Sequence, residues 1–394
     1  MGINYGHSAY ATIVQALSLL VLCVILVAGL WPFHAPRNDV SWIKNENGLR
    51  FGRHGVAVSQ SSFRESAAPN DTSCSLEIWL TPALVRIEGA TILAFDSSPY
   101  PRLPFAVRQY GSGVAIQRYI MDEQGILRRP WLRVDQVFRE NERVLLTITS
   151  GRGTTSLYVD GGLVGQSSTL GLIRRDLTGR IVVATSTVDD SWRGEVSALA
   201  IYPRELTPAE VTNHFESWMR GQNPTTLPAA LYRFSERAGN RVHNQMDPAT
   251  DLVIPQNYFV LHPAFIRPFW DASEDIADVW RSWGYWQDIA INIAGFIPVG
   301  FVFMAYCSSV KNFRRAALIV VIMGFTLSFI IEALQRFLPT RDSGMTDLIT
   351  NTAGTAVGVA LYRLSLVQGL VSSTMRAMFG LHCEGQGDIA TSTH

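Results

Sequence analysis

The sequence predicts a mixed protein: an extracytoplasmic all-β jelly-roll sandwich joined to an α-helical membrane bundle of four transmembrane helices. Three observations carry this reading. Apolar residues dominate the first 30 positions and again the stretch from about Gln287 to Leu366. Most of the charge lies between them, from Arg37 to Arg281. Inside that charged stretch, short segments alternate apolar and polar residues with turn residues between them, which is the pattern of strands. The chain has 394 residues, zero formal net charge and 17% charged residues, a low share for a soluble globular protein. No strongly basic face is implied, so nucleic acid is not an expected partner.

The first element is a membrane helix. A spanning helix needs ~20 mostly apolar residues, and no charged residue appears from Tyr10 to Phe33. A cleaved signal peptide would need a basic n-region and a shorter apolar run of ~7–15 residues. This n-region has no Lys or Arg, so residues 1–33 are expected to be a retained anchor. Cys23 lies mid-run rather than at its end, which argues against a lipoprotein site. The other cysteines build no framework either: Cys307 is in a hydrophobic segment, Cys383 in the tail, and Cys74 alone in the β-rich region. The β domain must therefore stand on its own core.

That domain is expected over residues 34–265. Val144, Leu146 and Ile148 share one face of a strand, Gly151-Arg-Gly153 makes a turn, and Ser156–Asp160 forms the next strand. Asp160-Gly161 opens a further turn into Leu163-Val164. Ile181–Thr185 and Val196–Ile201 read as strands as well. Short strands at this spacing suggest a sandwich or jelly roll. Thr207 is placed to cap a helix that has Pro208 at its first position and Glu210 at its third. Leu231–Gly239 with Asp251–Pro255 looks like an opening strand pair displaced behind that helix. It is expected to complete the sandwich from the C-terminal side, the alternative being a linker strand.

Gly48-Leu-Arg-Phe51, Cys74–Leu80, Leu157–Gly161, Gly194–Tyr202 and Leu206–Glu210, in this order, resemble the laminin-G-like, concanavalin A-like jelly rolls. The resemblance implies a two-sheet sandwich used to bind glycans or proteins. It also admits Ca2+ in the jelly roll, and no other cofactor is expected. Glycan cleavage would need two carboxyls about 5–10 Å apart. The Glu-x-Asp-x-x-Glu strand of related glucanases does not occur here. Glu274, Asp275 and Asp278 read instead as the solvated face of a short helix in an amphipathic connector, residues 266–286.

Three more hydrophobic segments follow, about Ile289–Tyr306, Ala316–Phe337 and Leu348–Leu366, in a module spanning 287–366. Lys311, Arg314 and Arg315 crowd the short loop between the first two, and basic short loops stay cytoplasmic. That orients the chain as a multi-pass inner (plasma) membrane protein with both termini, including the tail 367–394, in the cytoplasm. Ionisable residues inside membrane helices are costly and mark function. Asp288 and Asn292 lie one turn apart on one face, as do Asp347 and Asn351. Glu332 and Gln335 precede the exit at Pro339, Glu332 lying ~10 Å below it, and Arg341 follows in the outer loop. All seven are expected to converge at the level of the outer leaflet. Arg341 would hold Glu332 and Asp347 ionised.

Asp288–Asn292, Phe296–Gly300, Glu332–Gln335, Pro339–Arg341 and Asp347–Gly354 with Gly358 closely resemble the VanZ-like membrane family, over about Trp283–Leu366. Pro298, Gly300, Gly354 and Gly358 are its expected helix-packing positions. The family takes its name from a teicoplanin-resistance protein, which implies a bacterial cell-envelope setting and brings no established reaction. A jelly roll inserted between its first and second helices is a known variation. For the polar cluster three readings stay open: a structural network, a site where Arg341 grips the phosphate of an anionic lipid headgroup, or a catalytic or metal site using Glu332 and Asp347. The expected partners are membrane lipid and a polysaccharide or glycoconjugate. The alternatives are an intramembrane enzyme or carrier for a lipid-linked glycan precursor, and a scaffold for a protein partner.

Overall fold

The computed structural model describes residues 3–64, 73–96, 105–121, 127–184, 191–260, 283–310, 315–341, 343–364 and 369. The chain divides into two compact units. One comprises Pro32–Ala264 with Arg336–Asp342, and the other Met1–Trp31, Phe265–Gln335 and Ser343–His394. Lys311, Arg314, Glu274, Asp275, Asp278 and Cys383, which the sequence reading singled out, lie outside the described residues.

The first unit is a sandwich of two antiparallel eight-stranded sheets. One sheet runs β1 (Val40–Trp42), β2 (Leu49–Phe51), β15 (Gly194–Tyr202), β4 (Cys74–Pro82), β11 (Val144–Gly151), β12 (Thr154–Val159) and β13 (Gly162–Ser167), with β16 (Ala230–Tyr232) also on β15. The other runs β10 (Trp131–Val134), β7 (Gly113–Arg118), β6 (Phe105–Gly111), β5 (Arg86–Asp96), β14 (Arg180–Val183), β3 (Ala57–Ser59), β18 (Leu252–Val253) and β17 (Arg241–Val242). A small separate pair joins β8 (Ile120–Met121) to β9 (Leu127–Arg128).

Strand alternation explains the core. Leu76, Ile78 and Leu80 of β4 and Val144, Leu146 and Ile148 of β11 point between the sheets. Trp79 and Leu145 point to the opposite face, where they join a second cluster with Val211 and Trp218. Those last two belong to α2 (Pro208–Met219), so both faces of this sheet are covered. The helix starts where the sequence places it. The Thr207 side chain accepts the Glu210 N–H at 3.3 Å, and the Glu210 carboxylate accepts the Thr207 N–H at 2.9 Å, a reciprocal capping box. Two hairpins turn on Arg152-Gly153 (φ 49° and 81°) and Asp160-Gly161 (φ 50° and 82°). Positive φ at both central residues gives the turn whose twist matches the flanking strands.

The displaced segment is part of the sandwich. Tyr232 and Ala230 pair with Leu199 and Ile201 of β15, while β18 pairs with both β17 and β3. Each sheet therefore gains strands from beyond α2, and Tyr232, Val242 and Leu252 are fully buried.

The second unit is helical: α1 (Ile3–Leu30), α3 (Trp283–Val310), α4 (Ala316–Gln335) and α5 (Met345–Arg363). Among the described residues three helices, Tyr10–Leu30, Trp283–Ser308 and Ala316–Gln335, are long and apolar enough to cross a membrane. Asp347, Asn351 and four threonines lower the apolarity of α5. The helix α3 begins before the apolar run, with Trp283, Tyr285 and Trp286, residue types that favour the membrane–water interface.

Glycines set the closest approach within this unit. A Cβ on Gly354 would run into the Ile293 carbonyl, one on Gly358 into the Ile297 carbonyl, and one on Gly300 into the Thr355 carbonyl. The backbones of α3 and α5 therefore touch, as small-xxx-small helix pairs do. Pro298, expected at the same contact, is instead exposed. It lies about 200° round the helix from Gly300, so its ring turns away while the glycine turns in.

Candidate functional site

In the helical unit the polar residues are built onto facing turns. Ser328, Glu332 and Gln335 follow one another along one face of α4 at spacings of four and three. They are 0%, 1% and 8% exposed. Asp347 and Asn351 lie one turn apart on α5. The Asn292 amide donates to Asp347 Oδ1 at 2.8 Å, which ties α3 to α5. The Asn351 amide donates to Ser328 Oγ at 3.0 Å, which ties α5 to α4. The Gln335 amide donates to the Gly29 carbonyl at 2.9 Å, which ties α4 to α1. Glu332 Oε2 accepts the Gly344 N–H at 2.9 Å, with Ser343 as a further hydrogen-bond partner and Asp347 close enough to repel it.

Of the seven expected residues, the helical unit thus engages Asn292, Glu332, Gln335, Asp347 and Asn351. Asp288 is exposed on the first turns of α3, because only its neighbour one turn on, Asn292, reaches α5. Arg341 is partly buried in the turn after α4, its N–H on the Leu338 carbonyl at 3.1 Å. Sequence reasoning missed Ser328, Ser343 and the backbone groups of Gly29 and Gly344. The first two carried a usable signal: a serine one turn before Glu332, and one beside the glycine that opens α5.

The sandwich carries two further constellations, neither foreseen. Glu77, 1% exposed, accepts hydrogen bonds from the Tyr202 hydroxyl at 2.8 Å and Trp218 Nε1 at 3.0 Å, and pairs with His214 Nδ1 at 2.9 Å. Burial, and then the adjacent carboxylate, push the Tyr202 phenol far above its ordinary range. At the rim of this cluster the hydrogen bonds of Arg204 hold Glu210 down at about 2. Every Glu77 oxygen is occupied by protein, so the cluster anchors α2 to the sheet rather than facing a ligand.

The second constellation is on the outer face of the other sheet. Register places Ala106, Gln117 and Trp131 in one row across β6, β7 and β10, and Arg108, Ala115 and Arg133 in the next. The guanidinium groups of Arg108 and Arg133 lie 5.4 and 5.6 Å from the Tyr110 ring centroid. Gln117 donates to the Tyr110 hydroxyl at 3.2 Å, and Arg133 also pairs with Asp135 at 2.9 Å. Trp131 remains 51% exposed beside them. The result is an aromatic surface rimmed by braced planar donors on a rigid sheet. Among the described residues, no group of three or more His, Cys, Asp or Glu side chains converges in either unit.

Two family models match the chain, and their boundary does not coincide with that between the two units. The VanZ/LLP1 family model matches residues 230–367, taking in β16–β18 as well as the C-terminal helices. The concanavalin A-like lectin/glucanases superfamily model matches residues 52–212. No curated protein matches the chain. Among solved structures, it is similar to a candidate carbohydrate binding protein from Bacteroides ovatus, at 12% identity and TM-score 0.37, over 54% of this chain and 58% of that one. It is also similar to the receptor binding domain of botulinum neurotoxin type G, at 14% identity and TM-score 0.30, over 46% and 51% of the two chains. The chain therefore spans little more than half the length of these structures. The protein combines a concanavalin A-like region with a VanZ-like one that carries membrane-length helices.

Proposed function

We propose that this is a bacterial cell-envelope protein of the inner membrane that binds a glycan or glycoconjugate outside the cell through its sandwich. The observation that carries the reading is the outer face of β6, β7 and β10. Exposed Trp131 offers a flat apolar surface for the C–H face of a sugar ring. Arg108 and Arg133 offer planar donors whose geometry suits paired oxygens. Tyr110 fixes both guanidinium groups before any ligand arrives, which lowers the ordering cost of binding. The concanavalin A-like match supports the same use.

The membrane part of the proposal adds a fourth span, α5, and places residues 34–265 outside with both termini inside. Between Ile349 and Leu361 every exposed residue of α5 is apolar: Ile349, Ala353, Ala356, Val357, Ala360 and Leu361. Thr350, Asn351 and Thr355 are buried within the helical unit and Thr352 is half-buried, so a lipid would meet a mainly apolar side. The buried Glu332 supports a second reading, in which the helical module acts on a lipid-linked glycan precursor that the sandwich recruits.

The test is a glycan array probed with the full chain in detergent. The wild type is expected to retain one glycan class. Trp131→Ala is expected to weaken that binding about tenfold or more, equivalent to ~1.4 kcal/mol. A wild type that retains no glycan, or a Trp131→Ala protein that binds as the wild type does, overturns the proposal.

A further inference from the structure

In the polar seam of the helical unit each side-chain amide nitrogen has a partner, while two amide oxygens have none. The side-chain amides of Asn292, Gln335 and Asn351 are directed at Asp347, the Gly29 carbonyl and Ser328, and the Gly344 N–H at Glu332. Asn351 Oδ1 and Gln335 Oε1 remain without a hydrogen-bond partner. Both belong to side chains more than nine-tenths buried, at 5% and 8% exposure. Reversing the Gln335 amide would only set its oxygen against the Gly29 carbonyl. Buried polar atoms are almost always partnered, and in a unit with membrane-length helices bulk water is not at hand to do it.

The location of these orphans narrows what could fill them. The unpartnered oxygen of Asn351 belongs to a residue one helical turn from the Asp347 carboxyl on α5 and in contact with Ser328, one turn from the Glu332 carboxyl on α4. An occupant must supply positive charge or donors, so an anionic phosphate is the wrong ligand for this seam. Carbonyl, hydroxyl and carboxylate oxygens are the donor set of hard cations, whereas transition metals draw on nitrogen and sulfur. Among the described residues no three acidic, His or Cys side chains converge, which leaves too few charges for a tight divalent site.

The geometry points to a site for a small monovalent cation, of the sodium type, between α4 and α5. Asn351 Oδ1, Ser328 Oγ and the Glu332 carboxylate hold the ion, with Gln335 Oε1 one turn further along α4. Such an ion would bind the folded bundle only, so it stabilises the bundle by mass action and offsets the repulsion between Glu332 and Asp347.

The test is thermal unfolding of the full chain in detergent, starting in choline chloride and replacing choline by sodium at constant ionic strength. The midpoint is expected to rise and saturate with sodium. Asn351→Leu and Glu332→Gln are expected to raise the sodium concentration for half-effect at least tenfold, and Asn351→Asp, which presents only oxygens, to keep the response. Sodium-23 line broadening by the wild type, reversed by lithium, reads the same site without any variant. Equal midpoints in sodium and choline overturn the proposal. So does a rise seen only with magnesium or calcium, a rise produced by lowering pH but not by sodium, or a sodium response unchanged in Asn351→Leu.

Discussion

Glu77 shows how far a single residue can depart from its local pattern. In Cys74-Ser-Leu-Glu-Ile-Trp-Leu80 strict alternation puts Glu77 on the face away from the sandwich core, where a carboxylate would ordinarily meet water. That face is covered by α2, and Tyr202, Trp218 and His214 all turn toward the carboxylate. Removing the carboxylate would strand three buried groups at once. Glu77→Ala is therefore expected to destabilise the protein by about 3 kcal/mol or more, since each buried group left without its hydrogen-bond partner costs about 1–3 kcal/mol. Glu77→Gln keeps the shape and an oxygen for Tyr202 and Trp218, so its loss should be smaller. Denaturant titration of the full chain in detergent, followed by circular dichroism, checks both. Equal stability of Glu77→Ala and wild type would show that the cluster does not anchor α2.

At the scale of elements, the helical unit depends on the absence of side chains. Gly354 and Gly358 let α5 lie against the Ile293 and Ile297 carbonyls of α3, and Thr355, fully buried, fills the space beside Gly324 of α4. Gly354→Leu is expected to push α5 off α3 and sharply reduce the folded fraction recovered in detergent. Gly295→Leu is the matched control: a Cβ there meets nothing within 4 Å, and leucine is the better helix former by about 0.5–1 kcal/mol. Size-exclusion profiles and melting curves of the two variants should diverge. This packing was legible because small residues spaced by four on a helix are a local signal. So were the Thr207–Glu210 capping box and the Asp160-Gly161 turn, which need only neighbours in sequence. What sequence did not disclose depends on distant partners. The Trp131 row exists only through the register of three strands. Ser328 gains its meaning from Asn351 on another helix. The segment that forms β16–β18 was expected to complete the sandwich from its likeness to a displaced opening strand pair, but the strands that receive it lie far earlier in the chain.

For the whole molecule, the number of crossings decides which side each segment occupies, and α5 is the element on which that count turns. Three spans would leave the two termini on opposite sides of the membrane, whereas a fourth brings them together. Average composition argues against α5 crossing, since Asp347, Asn351 and its threonines dilute the helix. The residues it would show to lipid argue for crossing, since Ile349, Ala353, Ala356, Val357, Ala360 and Leu361 carry no polar side chain. The exposed face should decide, because buried polar groups with partners do not meet hydrocarbon. The stretch holding Lys311, Arg314 and Arg315 is then expected to set the direction, as short basic loops are retained in the cytoplasm. Reporter fusions are expected to be active as exported proteins after Gly161 and inactive after Lys311. The discriminating fusion is placed in the tail, after Gly380. If α5 crosses, it reports the cytoplasm, together with the Lys311 fusion. If α5 only rests against its neighbours, it reports the same side as Gly161. An exported signal from the tail with the other two fusions as expected would remove the fourth span and leave the orientation standing. An exported signal after Lys311 would reverse the orientation itself and put the Trp131 surface in the cytoplasm, out of reach of any extracellular glycan.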